Sequence, residues 1–121
     1  MSTYLINHLR IPGDVPNEEG LSYLDQVEAT AKPYGGKWLA QGPATVVEGA
    51  WAGSVVLMEF PDRAAADSWY NSPEYQAILP LRANNSISDL ILVDSVGPDF
   101  TVAGFAQQVR AAIAAASGTS D

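Results

Sequence analysis

Two hydrophobic periods divide this chain. Thr3 to Arg10 alternates between the sets Tyr4/Ile6/His8/Arg10 and Thr3/Leu5/Asn7/Leu9, which predicts a strand. Two prolines and a glycine between Ile11 and Pro16 interrupt any ladder and predict a loop. From Asn17 to Lys32 the period lengthens. Leu21, Leu24, Val27 and Ala31 recur every three or four residues, Asn17 is placed to cap a helix, and Glu18 and Glu19 suit its positive end. Pro33 and Gly35-Gly36 stop it. Lys37 to Glu48 reads as a second strand kinked at Gly42-Pro43. Ser54 to Phe60 is a dense apolar run, the pattern of a strand buried on both faces. Asp62 is placed to cap a helix running to Tyr70. Ser72-Pro73-Glu74 opens another, expected to break or kink at Pro80, ahead of Arg82. Asp89 to Val96 is the last strand. A final helix from Thr101 to Ala116 carries one apolar stripe of Val102, Phe105, Ala106, Val109, Ala112, Ile113 and Ala116.

The order β-α-β-β-α-β predicts an α+β fold. Its form is ferredoxin-like: a four-stranded antiparallel sheet with both helices on one face. The opposite face is too apolar to leave bare, so the expected assembly is a homodimer packed through the sheet faces. Residues 1–97 are expected to form the domain, residues 98–116 an added amphipathic helix, and residues 117–121 a disordered tail.

Composition narrows the chemistry. The chain has 121 residues, no cysteine, one histidine and a net charge of −8. Thiolate nucleophiles, disulfides and cysteine-held metals are excluded, and so are paired-histidine metal motifs within one chain. The acidic residues are scattered without a compact ligand spacing, so no metal is expected. An acidic surface binds nucleic acid and anionic membrane poorly. No apolar run reaches the roughly 18 residues of a spanning helix, and no signal peptide opens the chain. The expected setting is the cytoplasm.

Several short motifs stand in order along the chain: Tyr34-Gly35-Gly36-Lys37, Glu48-Gly49, Glu59-Phe60-Pro61, Trp69-Tyr70-Asn71-Ser72-Pro73-Glu74-Tyr75 and Leu81-Arg82. Through them, from Thr3 to Val96, the sequence resembles the bacterial family called domain of unknown function 1330, of the dimeric α+β barrel superfamily. The resemblance implies a homodimer with a pocket in each subunit between sheet and helices. The superfamily includes cofactor-free monooxygenases, haem-degrading enzymes, lactone isomerases, polyketide cyclases, aldoxime dehydratases and dye-type peroxidases. Fold analogy does not choose among them.

The candidate site residues follow. His8 is the one side chain whose unperturbed pKa lies near neutrality, and it serves as a general base if its set faces the helices. The alternative is a histidine at a strand end, half-exposed or paired with a carboxylate. Arg82 matches the family's arginine; it holds an anionic oxygen or forms an internal salt bridge to Glu59 or Glu74. Trp69 and Tyr75 line an aromatic pocket or pack the core, with Tyr23 facing the same cavity. Asn7 and Trp69 resemble positions of the haem-degrading members, but Gln76 to Arg82 lacks the axial histidine those members need, so no cofactor is expected. Glu48 and Glu59 are carboxylates on or beside strands, and Asn84 and Asn85 stand where a substrate oxygen or a turn takes them.

The reading that follows is a cofactor-independent enzyme acting by proton transfer on a small apolar, aromatic or polyketide-like metabolite. The chemistry is of isomerase, cyclase, lyase or monooxygenase type. His8, Arg82 and Tyr75 are its catalytic residues, and Trp69, Tyr23, Asn7, Asn84 and Glu59 bind substrate. The alternative is a non-catalytic dimer that binds a small ligand or a partner enzyme.

Overall fold

The computed structural model describes residues 1–118. The elements are β1 (Thr3–Arg10), α1 (Glu18–Ala31), β2 (Lys37–Pro43), β3 (Ser54–Phe60), α2 (Arg63–Tyr70), α3 (Pro73–Ala83), β4 (Ile87–Asp94) and α4 (Val102–Gly118). The sheet order is β2-β3-β1-β4 with every pairing antiparallel, which is the expected α+β, ferredoxin-like fold. β1 lies at its centre, bonded to β3 on one side and β4 on the other.

Side-chain alternation sends Leu5, Val56, Met58 and Phe60 toward the helices, where they meet Val27 and Ala31 of α1, Ala66 and Trp69 of α2, and Tyr75 and Ile78 of α3. Tyr4, Ile6 and His8 take the other face, and the register places Leu57, Ile91 and Val93 beside them. β3 is therefore not buried on both faces within one chain. Val56, Met58 and Phe60 are buried while Val55 and Leu57 are half-buried on the open face.

The helix starts follow the expected chemistry. The Asn17 side chain accepts from the Gly20 N–H at 2.9 Å, Asp62 from Ala65 at 2.8 Å, and Ser72 from Tyr75 at 3.2 Å. Gly35 closes the exit from α1 in the left-handed region, at φ +74. Gly36 sits so close to Phe60 that a Cβ there would lie 2.8 Å from the ring.

Three boundaries differ from the sequence reading. β2 ends at Pro43, and Ala44–Gly53 is a loop, because the paired segment stops where Pro43 meets Ser54. β4 begins at Ile87 and ends at Asp94, since its partner β1 runs only from Thr3 to Arg10. Pro80 does not end α3. The helix continues to Ala83 and carries Arg82 in its last turn, and the Pro80 carbonyl accepts from the Asn84 N–H at 2.9 Å.

The last helix is capped by Thr101, whose hydroxyl accepts from Gly104 at 2.9 Å. It extends past Ala116 through Gly118, and no residue in it is buried. Of the expected tail, Ser117 and Gly118 are helical, and residues 119–121 lie outside the described residues. Among the described residues no helix is long and apolar enough to cross a membrane.

Candidate functional site

Between the helix-facing side of the sheet and helices α1 and α3 lies a cavity of about 270 Å³. Its walls are mostly apolar, with Leu5, Val56, Met58 and Trp38 from the sheet and Leu24 and Val27 from α1. Into this lining project a few polar groups: Asn7 from β1, Tyr23 from α1, Tyr75 and Arg82 from α3, and Asp14, Asn17 and Asn85 from the adjoining loops. An apolar concavity with a small number of placed polar groups is the usual form of a small-molecule site.

Arg82 is the chemical centre. Its side chain is buried, with 8% of its surface exposed. Among the described residues it has no carboxylate partner: the ion pairs are Arg10–Asp89 and Arg63–Asp67. Neither Glu59 nor Glu74 therefore takes the salt-bridge role expected as an alternative. Instead Nη2 donates to the Tyr75 hydroxyl at 3.3 Å, and the guanidinium stands 5.8 Å from the centre of the Tyr23 ring. The Tyr23 and Tyr75 hydroxyls are 2.9 Å apart. Burial, and then the neighbouring Tyr75 oxygen, push the Tyr23 hydroxyl well above its ordinary range, so it is protonated throughout the physiological region. For Arg82, burial acts to lower the pKa, but the two tyrosine oxygens outweigh it and raise it overall, so the group is a fixed cation.

Two buried polar atoms at this site have no hydrogen-bond partner among the described residues, Asn7 Oδ1 and Arg82 Nε. One is an acceptor and the other a charged donor. Leaving such groups unsatisfied costs about 1–3 kcal/mol each, so they stand out in a packed fold.

Trp69 is anchored from behind. Its Nε1 donates to Thr30 Oγ1 at 3.0 Å, and its ring packs 4.2 Å from that of Tyr75 and 5.4 Å from that of Phe60. It packs the core and walls the cavity at once.

His8 lies elsewhere, which corrects the expectation that it points into the pocket. Strand parity puts it on the open face of the sheet, where its Nε2–H donates to the Ala52 carbonyl and its ring stacks 3.9 Å from Trp51. Glu59 also leaves the site, since it lies opposite Tyr4 and Lys37 on the same outer face. Asn84 is exposed and closes the end of α3, while its neighbour Asn85 reaches the cavity. Glu48 sits exposed in the β2–β3 loop. The cavity thus gathers Asn7, Tyr23, Trp69, Tyr75 and Arg82, and leaves out His8, Glu59 and Asn84.

Among the lining residues not singled out from sequence are Trp38, Gln41 and Asp14. The alternation of β2 carried a signal for Trp38. Asp14 is the one carboxylate in the lining, and it holds a left-handed backbone at φ 61. Its placement follows from the turn after β1, which the hydrophobic pattern does not encode. Among the described residues no group of acids and histidine forms a metal site.

Comparison with known proteins places this geometry. A family model described as a domain of unknown function (DUF1330) matches residues 2–96. No curated protein matches the sequence. Among solved structures, a methylated protein of unknown function from Rhodopseudomonas palustris is similar, with 21% identity, a TM-score of 0.63, and coverage of 82% of this chain and 84% of that one. A dimeric ferredoxin-like protein of unknown function from Thermobifida fusca has 13% identity, a TM-score of 0.59, and coverage of 78% and 92%. SnoaB, a cofactor-independent oxygenase from Streptomyces nogalater, has 16% identity, a TM-score of 0.56, and coverage of 83% and 98%. At these identities the likeness is one of fold.

Proposed function

Because the chain belongs to the DUF1330 family and carries a lined cavity within that fold, we propose that it is a cofactor-independent enzyme acting by proton transfer on a small, largely apolar metabolite. The observation that carries this reading is Arg82, a buried cation without a carboxylate partner among the described residues. A desolvated charge is costly unless paired, so the site favours a ligand that brings or develops negative charge on oxygen.

The roles follow from placement. Arg82, which lines the cavity, holds the anionic oxygen through its guanidinium. Tyr75 and Tyr23 form a two-phenol relay beside it that donates or returns a proton. Trp69 and the sheet hold the apolar body of the substrate, and the Asn7 side chain in the lining meets its second polar group. Asp14 takes the proton-accepting role that His8 is too distant in the fold to fill. Proton removal next to a carbonyl leaves an enolate at Arg82, and return of the proton at a second carbon completes an isomerisation. The SnoaB likeness supports the general class of small-molecule chemistry on this fold, at the level of analogy.

The test uses ligands sized to the cavity, the hydroxy-1-tetralone isomers, with 1-tetralone as the analogue lacking the hydroxyl. Quenching of Trp38 and Trp69, which both line the cavity, reads binding. We expect saturable quenching in the wild type and at least tenfold weaker binding in Arg82→Met. Equal binding by the two proteins, or no binding by either, overturns the reading.

We also propose a homodimer through the open sheet faces. Ile91 and Val93 are 57% and 46% exposed there, and three similar structures are described as dimeric. Light scattering checks this. A particle of twice 12.8 kDa is expected, and a stable folded monomer in dilute solution overturns it.

A further inference from the structure

The helix α4 begins beyond the residues the family model matches, and among the described residues none of its side chains is buried. Its stripe of Val102, Phe105, Val109 and Ile113 is between 41% and 74% exposed. Arg110 is its single charged residue. A helix this apolar is stable in water only when its stripe is covered.

The same molecule carries a matching groove. Along the free edge of β4, where α2 does not reach the strand, Leu5, Ala66, Tyr70, Leu90 and Leu92 line a cleft of about 200 Å³. Asp67 is the one charged residue in its lining, paired at 3.4 Å with Arg63 of its own helix and opposite in sign to Arg110. Edge strands with an apolar flank are commonly covered by a helix or loop.

Areas point to the same occupant. Four strands of seven or eight residues present a face of about 480 Å² at a spacing of about 4.8 Å and a rise of about 3.3 Å. A stable interface buries about 800 Å² of accessible surface on each partner, a measure larger than a flat projection, and the sheet face supplies the base of it. A 17-residue helix is about 25 Å long and about 10 Å wide. Exchanged between two copies, it adds its own footprint and that of the groove it fills to each protomer, about 250 Å² each in projection, which roughly doubles the contact of the sheet face. The linker Ser95–Thr101 spans up to about 23 Å, enough to cross a sheet-to-sheet interface about 10 Å thick.

We propose that α4 is an exchanged arm, docking on a second copy of this chain in the groove between α2 and β4, with Arg110 toward Asp67. The proposal rests on the homodimer reading above and deepens it.

The absence of cysteine gives a clean test. Asp67→Cys is combined in the full chain with Phe105→Cys, Val109→Cys or Ile113→Cys, and each double variant is oxidised and run on a non-reducing gel. At least one pair should give a dimer-sized band, reversed by thiol, well above either single-cysteine variant. A cross-linked monomer shows that the arm folds on its own groove and overturns the proposal. No cross-link from any pair overturns it as well. Sedimentation of the wild type separates the two levels: a dimer without cross-links fails the arm alone, while a monomer fails the homodimer too. As an independent measure, Phe105→Asp with Val109→Asp should raise the dimer dissociation constant at least tenfold, and an unchanged constant argues against the arm.

Discussion

Asn7 shows how one residue can be placed against the stability of its own fold. A buried acceptor without a partner costs about 1–3 kcal/mol, so Asn7→Leu should stabilise the protein by about 1 kcal/mol in urea unfolding while weakening the binding of hydroxy-1-tetralones. Tyr23 gives a second handle, through pH. Its hydroxyl is held above its ordinary value of 10.0 in the fold, so the unfolded chain loses this proton first as pH rises. Its contribution is therefore complete below about pH 10 and is lost above it, at a slope approaching 1.4 kcal/mol per pH unit. Tyr23→Phe should flatten that alkaline limb of the stability profile, and an unchanged limb sinks the assignment. His8 marks what sequence could not say at this scale. Each alternating set of β1 mixes apolar with polar residues, Tyr4 and Ile6 with His8 and Arg10, Leu5 and Leu9 with Thr3 and Asn7, so alternation alone fixes the strand but not which set faces the helices. Only the packing of Leu5 against α1–α3 decides it, and that decision carries Asn7 inward and His8 outward.

At the scale of elements, most of the fold was legible because the signals are local. Asn17, Asp62 and Ser72 cap the helices the pattern predicted, and β3 runs from Ser54 to Phe60 as read. What was not legible depends on partners. β2 and β4 end where their neighbours end, and Pro80 is tolerated inside α3 because helical bonding resumes with Asn84. The cavity's residues come from different elements: Tyr23 of α1 faces the cavity as expected, but its hydroxyl contact with Tyr75 and the approach of the Arg82 guanidinium to its ring arise from tertiary packing that periodicity does not encode. One close contact ties these elements together. A methyl group at Gly36 would press on Phe60 at 2.8 Å and on Ala31 at 3.0 Å. Gly36→Ala should cost about 1–3 kcal/mol, seen as a lowered midpoint of thermal unfolding.

For the whole molecule, the open sheet face is the governing feature. Ile91→Asp, midway along the edge strand β4 on that face and beside Ile6, should convert the dimer to a folded monomer, checked by sedimentation with retained far-ultraviolet circular dichroism. The same face has a consequence for ionic strength. Each copy brings a net charge of −8 to an association whose contacts are apolar, so the two copies repel until they touch. Raising the salt from about 0.01 M to about 0.15 M shortens the screening length from about 30 Å to about 8 Å and removes most of that repulsion. Added salt should thus tighten this dimer, the reverse of an interface held by ion pairs, and dilution into pure water should be the gentlest way to take it apart.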